Sequence, residues 1–105
     1  MQFLVICRPT AGGDQDEFKR LVPAEARALR EHRAAGALTG AWNPGGPGAV
    51  LMLDVPGQAE AARIVAAFPL VQAGLITTEV SRCTPLTWPD RGKAMPGRAQ
   101  APTPL

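Results

Sequence analysis

The stretch "EARALREHRAAG", residues 25 to 36, holds the side chains best suited to chemistry. Glu25 is a carboxylate and His32 is the chain's only histidine. A carboxyl group and an imidazole are common partners for moving a proton near neutral pH. The stretch reads as helix, and its turn of about 100° per residue puts Phe18, Leu21, Val22, Glu25, Leu29 and His32 in one stripe. Lys19, Arg20, Arg27, Arg30, Glu31 and Arg33 lie away from it. Acid and base therefore share the side that the helix must bury. Seven residues separate them, roughly 10 Å along the axis. That is too far for a direct bond and suits a small molecule held between them. Burial would raise the Glu25 pKa and lower that of His32, bringing both toward neutrality. The plainer alternative has His32 bonded to a backbone carbonyl at the core edge and Glu25 reaching out to an arginine. Against it, two ionisable groups on one buried stripe cost several kcal/mol unless something is gained.

The remaining chemistry-bearing residues are sparse. Arg8 ends an apolar run, where it could hold an anion at a pocket mouth. One histidine with Cys7 and Cys83, far apart in sequence, is too small a donor set for a metal centre, and none is expected. "GGPG" (45 to 48) lacks the Lys-Ser/Thr continuation of a phosphate loop. No Ser-His-Asp or Cys-His pairing has supporting spacing.

The elements that must position these residues follow from the pattern. "FLVIC" (3 to 7) is a strand, apolar on both faces. Residues 16 to 35 are helical, with Asp14 or Asp16 as cap, Pro23 forcing a kink or restart, and Gly36 closing the C-terminus. "ALTGAW" (37 to 42) and "AVLMLDV" (49 to 55) are strands joined by a turn-rich "NPGGPG". Residues 56 to 68 form a second helix ended by Pro69, and "GLITTEVSR" (74 to 82) is the last strand. The order β-α-β-β-α-β gives a ferredoxin-like α+β sandwich with a four-stranded antiparallel sheet. Residues 1–86 make the domain, and 87–105 a Pro-rich tail in which Trp88 is a candidate anchor. Cys7 and Cys83 should sit at opposite ends of the strand one–strand four ladder, too far apart for a disulfide. One sheet face lacks helices. Its apolar strands call for a second copy, so a homodimer or higher homo-oligomer is expected.

Composition bounds the function class. The 105 residues are 46% hydrophobic and 19% charged, which fits one folded domain with a thin core. A net charge of +2 with scattered basic residues argues against nucleic acid. Three Phe, two Trp and no Tyr give no stacking platform for bases. No apolar run is long enough to span a membrane, and "MQFLVICRP" reads as a strand rather than a leader, so a cytoplasmic protein is expected.

Several spacings together resemble the muconolactone isomerase-like family. Glu25 lies eleven residues before Gly36, and five residues separate Gly36 from Trp42. "LDVP" (53 to 56), "FPL" (68 to 70) and "TEV" (78 to 80) follow in order. The resemblance spans about residues 1 to 86. It implies a dimeric α+β barrel and cofactor-free acid–base chemistry on small lactones or related metabolites. Residues 46 to 52 carry no titratable side chain, so the ionisable pair sits on the helix instead. That points to an isomerase or cyclase acting at a different step, in secondary metabolism, on a small hydrophobic metabolite. Glu25 and His32 would be catalytic, lining a cavity between helix and sheet walled by Leu4 or Val5, Leu29, Trp42, Met52 and Phe68, with Arg8 at its mouth. A non-catalytic ligand-binding or accessory protein, and a cofactor-independent monooxygenase on the same barrel, remain the alternatives.

Overall fold

The computed structural model describes residues 1 to 87. Trp88 and the rest of the Pro-rich tail lie outside the described residues. The order is β1 (Gln2–Pro9), α1 (Gln15–Ala34), β2 (Leu38–Trp42), β3 (Ala49–Asp54), α2 (Gln58–Ala66), α3 (Pro69–Gln72) and β4 (Ile76–Cys83). The four strands form one antiparallel sheet in the order β2-β3-β1-β4, the ferredoxin-like arrangement.

Strand alternation decides which side chains meet the helices. On β1, Phe3, Val5 and Cys7 are buried. Leu51 and Leu53 on β3 share their face. They pack with Ala61, Ile64 and Val65 of α2 and with Phe68 in one core. The opposite face carries Leu4, Ile6, Val50 and Met52, all half-buried, and among the described residues no helix covers it. Cys7 pairs with Thr78 whereas Cys83 pairs with Gln2, so the two cysteines lie at opposite ends of the β1–β4 ladder and are free thiols.

Two helix expectations need correction. Pro23 does not interrupt α1, which runs unbroken through it. The ring withholds one N–H, but strong ends hold the helix on either side. Asp14 accepts from the N–H groups of Asp16 (2.9 Å) and Glu17 (3.2 Å). At the other end Gly36 adopts φ 84°, which lets its own N–H reach the Arg33 carbonyl and the Ala37 N–H reach that of His32. Nor does Pro69 merely stop the second helix. It opens the short α3, a position where a missing N–H costs nothing.

Helix α1 has no fully buried residue. Phe18, Leu21, Ala28 and Leu29 are half-buried, while Val22, expected on the inner stripe, is 44% exposed. The helix therefore rests on the sheet less tightly than α2 does, and space remains beneath it.

Candidate functional site

That space is a cavity of about 140 Å³ lined by Cys7, Phe18, Glu25, Leu29, Gly48, Ala49, Leu51, Leu70 and Ile76. An apolar cavity of roughly 150 Å³ can hold a benzene-sized ring, so this one suits a single five- or six-membered ring. Each wall has a local cause. Cys7 arrives by the alternation of β1. Leu51 is the β3 residue paired with inward-facing Val5. Gly48 closes one side because the chain runs tight there: with φ 112°, a Cβ on it would fall 2.5 Å from the Cys7 carbonyl oxygen. Only glycine satisfies both conditions.

Glu25 is the one ionisable oxygen acid in this lining. Its Oε1 accepts the Leu70 N–H at 2.9 Å. Leu70 follows Pro69 at the start of α3, where backbone N–H groups lack helical partners, so the carboxylate ties α1 to α3. Among the described residues Oε2 has no hydrogen-bond partner. Burial pushes the Glu25 pKa upward, and the Leu70 N–H only partly offsets it. Burial, and then the nearby Glu25, also push the Cys7 thiol upward. Cys7 is the titratable lining residue that the sequence reading missed, and apart from Leu29 the other walls of the cavity were not anticipated either. For Cys7 the signal was present, since residues 3, 5 and 7 of a strand share a face and Phe3 and Val5 are core-like.

His32 is placed elsewhere. It is half-buried and meets Phe68 edge-on, ring centroids 6.0 Å apart. It also lies near Glu60 of α2, whose pKa is held low chiefly by the hydrogen bond from Arg63 and to a smaller extent by His32. His32 does not line the Glu25 cavity, so the two residues are not brought together there. Phe68, 1% exposed, fills the space that a ligand would need beneath the last turns of α1.

The expected walls divide in the same way. Leu29 lines the cavity as anticipated. Phe68 is in the core rather than on a cavity surface. Met52 pairs with Leu4 and Gly40 and points to the helix-free face, because it alternates with Leu51 and Leu53. Arg8 is on that face too, ion-paired with Glu79 at 3.0 Å, and guards no pocket mouth. Of Leu4 and Val5, neither lines the cavity: Leu4 is on the far face and Val5 lies wholly in the core. Trp42, 56% exposed, borders a separate groove at the free edge of β2. Among the described residues no cluster of three or more His, Cys, Asp or Glu could hold a metal ion, and no helix is long and apolar enough to cross a membrane.

Comparison with solved structures places this architecture. The chain is similar to muconolactone isomerase, with a TM-score of 0.67 at 19% identity, covering 87% of this chain and 97% of that one. It is also similar to 5-chloro-2-hydroxyhydroquinone dehydrochlorinase from Burkholderia phenoliruptrix AC1100, determined in complex with 2,5-dihydroxybenzoquinone. There the TM-score is 0.64 at 21% identity, covering 80% of this chain and 94% of that one. The muconolactone isomerase-like fold expected from the spacings is thus the fold found. No family model and no curated protein sequence matches the chain.

Proposed function

We propose that the chain is a small-molecule isomerase or lyase that moves a proton within one small ring, with Glu25 as the acid–base group and no organic cofactor. One observation carries the reading: a half-buried carboxylate with one oxygen anchored on Leu70 and the other unpartnered, in an otherwise apolar ring-sized cavity. Two neighbours in fold, muconolactone isomerase and a dehydrochlorinase, are named for reactions on small cyclic molecules, which supports the substrate class.

The chemistry is a proton shift across an unsaturated lactone or a related ring carbonyl. Glu25, as carboxylate, takes a proton from the carbon beside the carbonyl. The electron pair of the broken C–H bond passes into an enolate conjugated with the ring double bond. Glu25, now a carboxylic acid, returns the proton at the far end of that system. The double bond moves, and charge and atoms are conserved. The Leu70 N–H fixes the carboxylate's position, and an upward-shifted pKa makes it a stronger base than a solvated glutamate. Cys7, its thiol kept protonated, is a weak donor on the cavity wall.

The direct test is conversion of a β,γ-unsaturated butenolide to its α,β-unsaturated isomer, followed by ultraviolet absorbance. Glu25→Gln should slow turnover by about a hundred- to ten-thousand-fold and keep the fold. Saturable binding of small lactones with no conversion of any of them would instead make this a ligand-binding protein.

The assembly reading extends the same proposal. Leu4, Ile6, Val50 and Met52 form an apolar strip across the helix-free face, which a second copy would cover. Light scattering should give twice the 11.0 kDa chain mass, and Met52→Lys should shift it to the monomer. A monomer in the unaltered protein would end this reading without touching the chemistry of Glu25.

A further inference from the structure

A second hollow, larger than the Glu25 cavity, wraps the free edge of β2. It encloses about 380 Å³ and is lined by Leu29, Arg30, Arg33 and residues 38 to 42, within the usual range for small-molecule sites. We propose that this groove binds a small aromatic carboxylate, with the carboxylate on Arg30 and Arg33 and the ring against Trp42 and Leu29.

The charge argument comes first. The lining contains two arginines and no acidic side chain. Spaced three residues apart on α1, they lie one above the other on the helix surface, roughly 5–6 Å apart at Cβ. That separation lets two guanidinium groups share one carboxylate. Arg8, Arg20 and Arg63 are each ion-paired, with Glu79, Glu17 and Glu60. Among the described residues Arg30 and Arg33 appear in no ion pair. The negative end of α1 accounts for an arginine at position 33. It acts weakly a turn earlier, at Arg30.

The apolar half of the site is built by a glycine. The outer edge of the Trp42 six-membered ring sits over Gly40, where a Cβ would come within 2.5 Å of Cη2 and 3.0 Å of Cζ3. Gly40 therefore provides the seat that holds the indole across the strand. Trp42 pairs with Val50 and Gly40 with Met52, so the indole lies at the helix-free side of the β2 edge and the groove reaches it round that edge from Leu29. At 56% exposed in the single chain, it offers the surface on which a flat ring gains most. Leu29 stands in the wall of both hollows, so the groove and the Glu25 cavity are neighbours that share that one lining residue.

The probes are 2-naphthoate and its neutral counterpart 2-naphthylmethanol, titrated into the full-length protein by calorimetry and by amide chemical-shift mapping. Naphthoate should bind, more weakly as salt is raised, with shifts confined to the end of α1 and to β2. Arg30→Gln and Arg33→Gln should each weaken naphthoate about three- to tenfold, as expected for partly solvated charge pairs. Both should leave naphthylmethanol unchanged. Trp42→Ala, and Gly40→Ala by displacing the indole, should weaken both probes. Glu25→Gln should alter neither, which separates this site from the proposed chemistry. The proposal is overturned by no binding at millimolar probe, by equal affinity for acid and alcohol, by indifference to both arginine substitutions in folded variants, or by shifts centred on Cys7 and Glu25.

Discussion

The middle and the C-terminal turn of α1 make an instructive pair. Glu25 and His32 occupy the same helical stripe, and both are half-buried. Beneath Glu25 the helix spans a gap, and the carboxylate lines a cavity while tying down α3. Beneath His32 the space is filled by Phe68, against which the imidazole packs as an aromatic ring. The stripe is one, yet what faces it differs, because α3 leaves a void near Leu70 and the α2–α3 junction plants the large side chain of Phe68. An ionisable residue on an inward helix face becomes a site only where the opposing layer leaves room for a ligand.

The largest expected effect tests that contrast in rate. On the butenolide, Glu25→Gln should lose about two to four orders of magnitude, while His32→Ala should stay within about threefold, since the imidazole does not line the cavity. The unaltered protein's rate should rise with pH through the Glu25 folded-state pKa, which lies above the ordinary value of 4.5. Comparable losses from both variants would mean that the two positions on the helix act as one site.

Phe68→Ala attacks the contrast from the other side. Removing a fully buried phenyl group should cost about 3–5 kcal/mol in urea unfolding and leave a hollow under His32. Glu25→Ala should cost less, about 1–2 kcal/mol, because it strands the Leu70 N–H in a partly buried setting. Glu25→Gln keeps an acceptor for that N–H and should retain most of the stability. Linkage adds a sign. A carboxylate raised in the folded state stabilises the fold when protonated, below its unfolded pKa, and that contribution is lost as pH rises through the folded value. Wild type should therefore lose stability relative to Glu25→Gln as pH climbs above about 4.5. An opposite slope would mean that the Leu70 hydrogen bond outweighs desolvation.

How much of this was legible beforehand depends on the kind of signal. Local periodicity carried the strands, α1, its Asp14 and Gly36 ends and the helix-free face, since these follow from alternation and capping. Periodicity also put Glu25 inward. It was silent on what stands opposite, because Leu70 is 45 residues away and its N–H is a backbone group with no side-chain signature. The misplacement of Met52 and Arg8 has a different origin. Arg8 is assigned by its position at a strand end and Met52 by its apolar character, neither by counting the two-residue alternation from Phe3 and Leu53, which sends both to the far face. Pro23 was read for its local penalty alone, and an otherwise well-capped 20-residue helix absorbed it.

The smallest predicted effect is the most direct check on His32. An edge-on aromatic pair is worth about 0.5–1.5 kcal/mol beyond its buried area, and the ring centroids here are 6.0 Å apart. His32→Ala should lower stability by about that much, whereas His32→Phe should restore most of it by keeping a ring against Phe68. The same variants in a Phe68→Leu background settle whether the loss belongs to the pair. If it does, His32→Ala costs clearly less there than in wild type, and the difference is the coupling energy. An unchanged cost would assign His32's contribution to its own burial or to the field at Glu60, and Phe68 would then act only as a plug. In either case the butenolide rate of His32→Phe should match wild type. A hundredfold loss in that fully folded variant would return the imidazole to the chemistry, through a ligand reaching past Leu29 to the end of the helix.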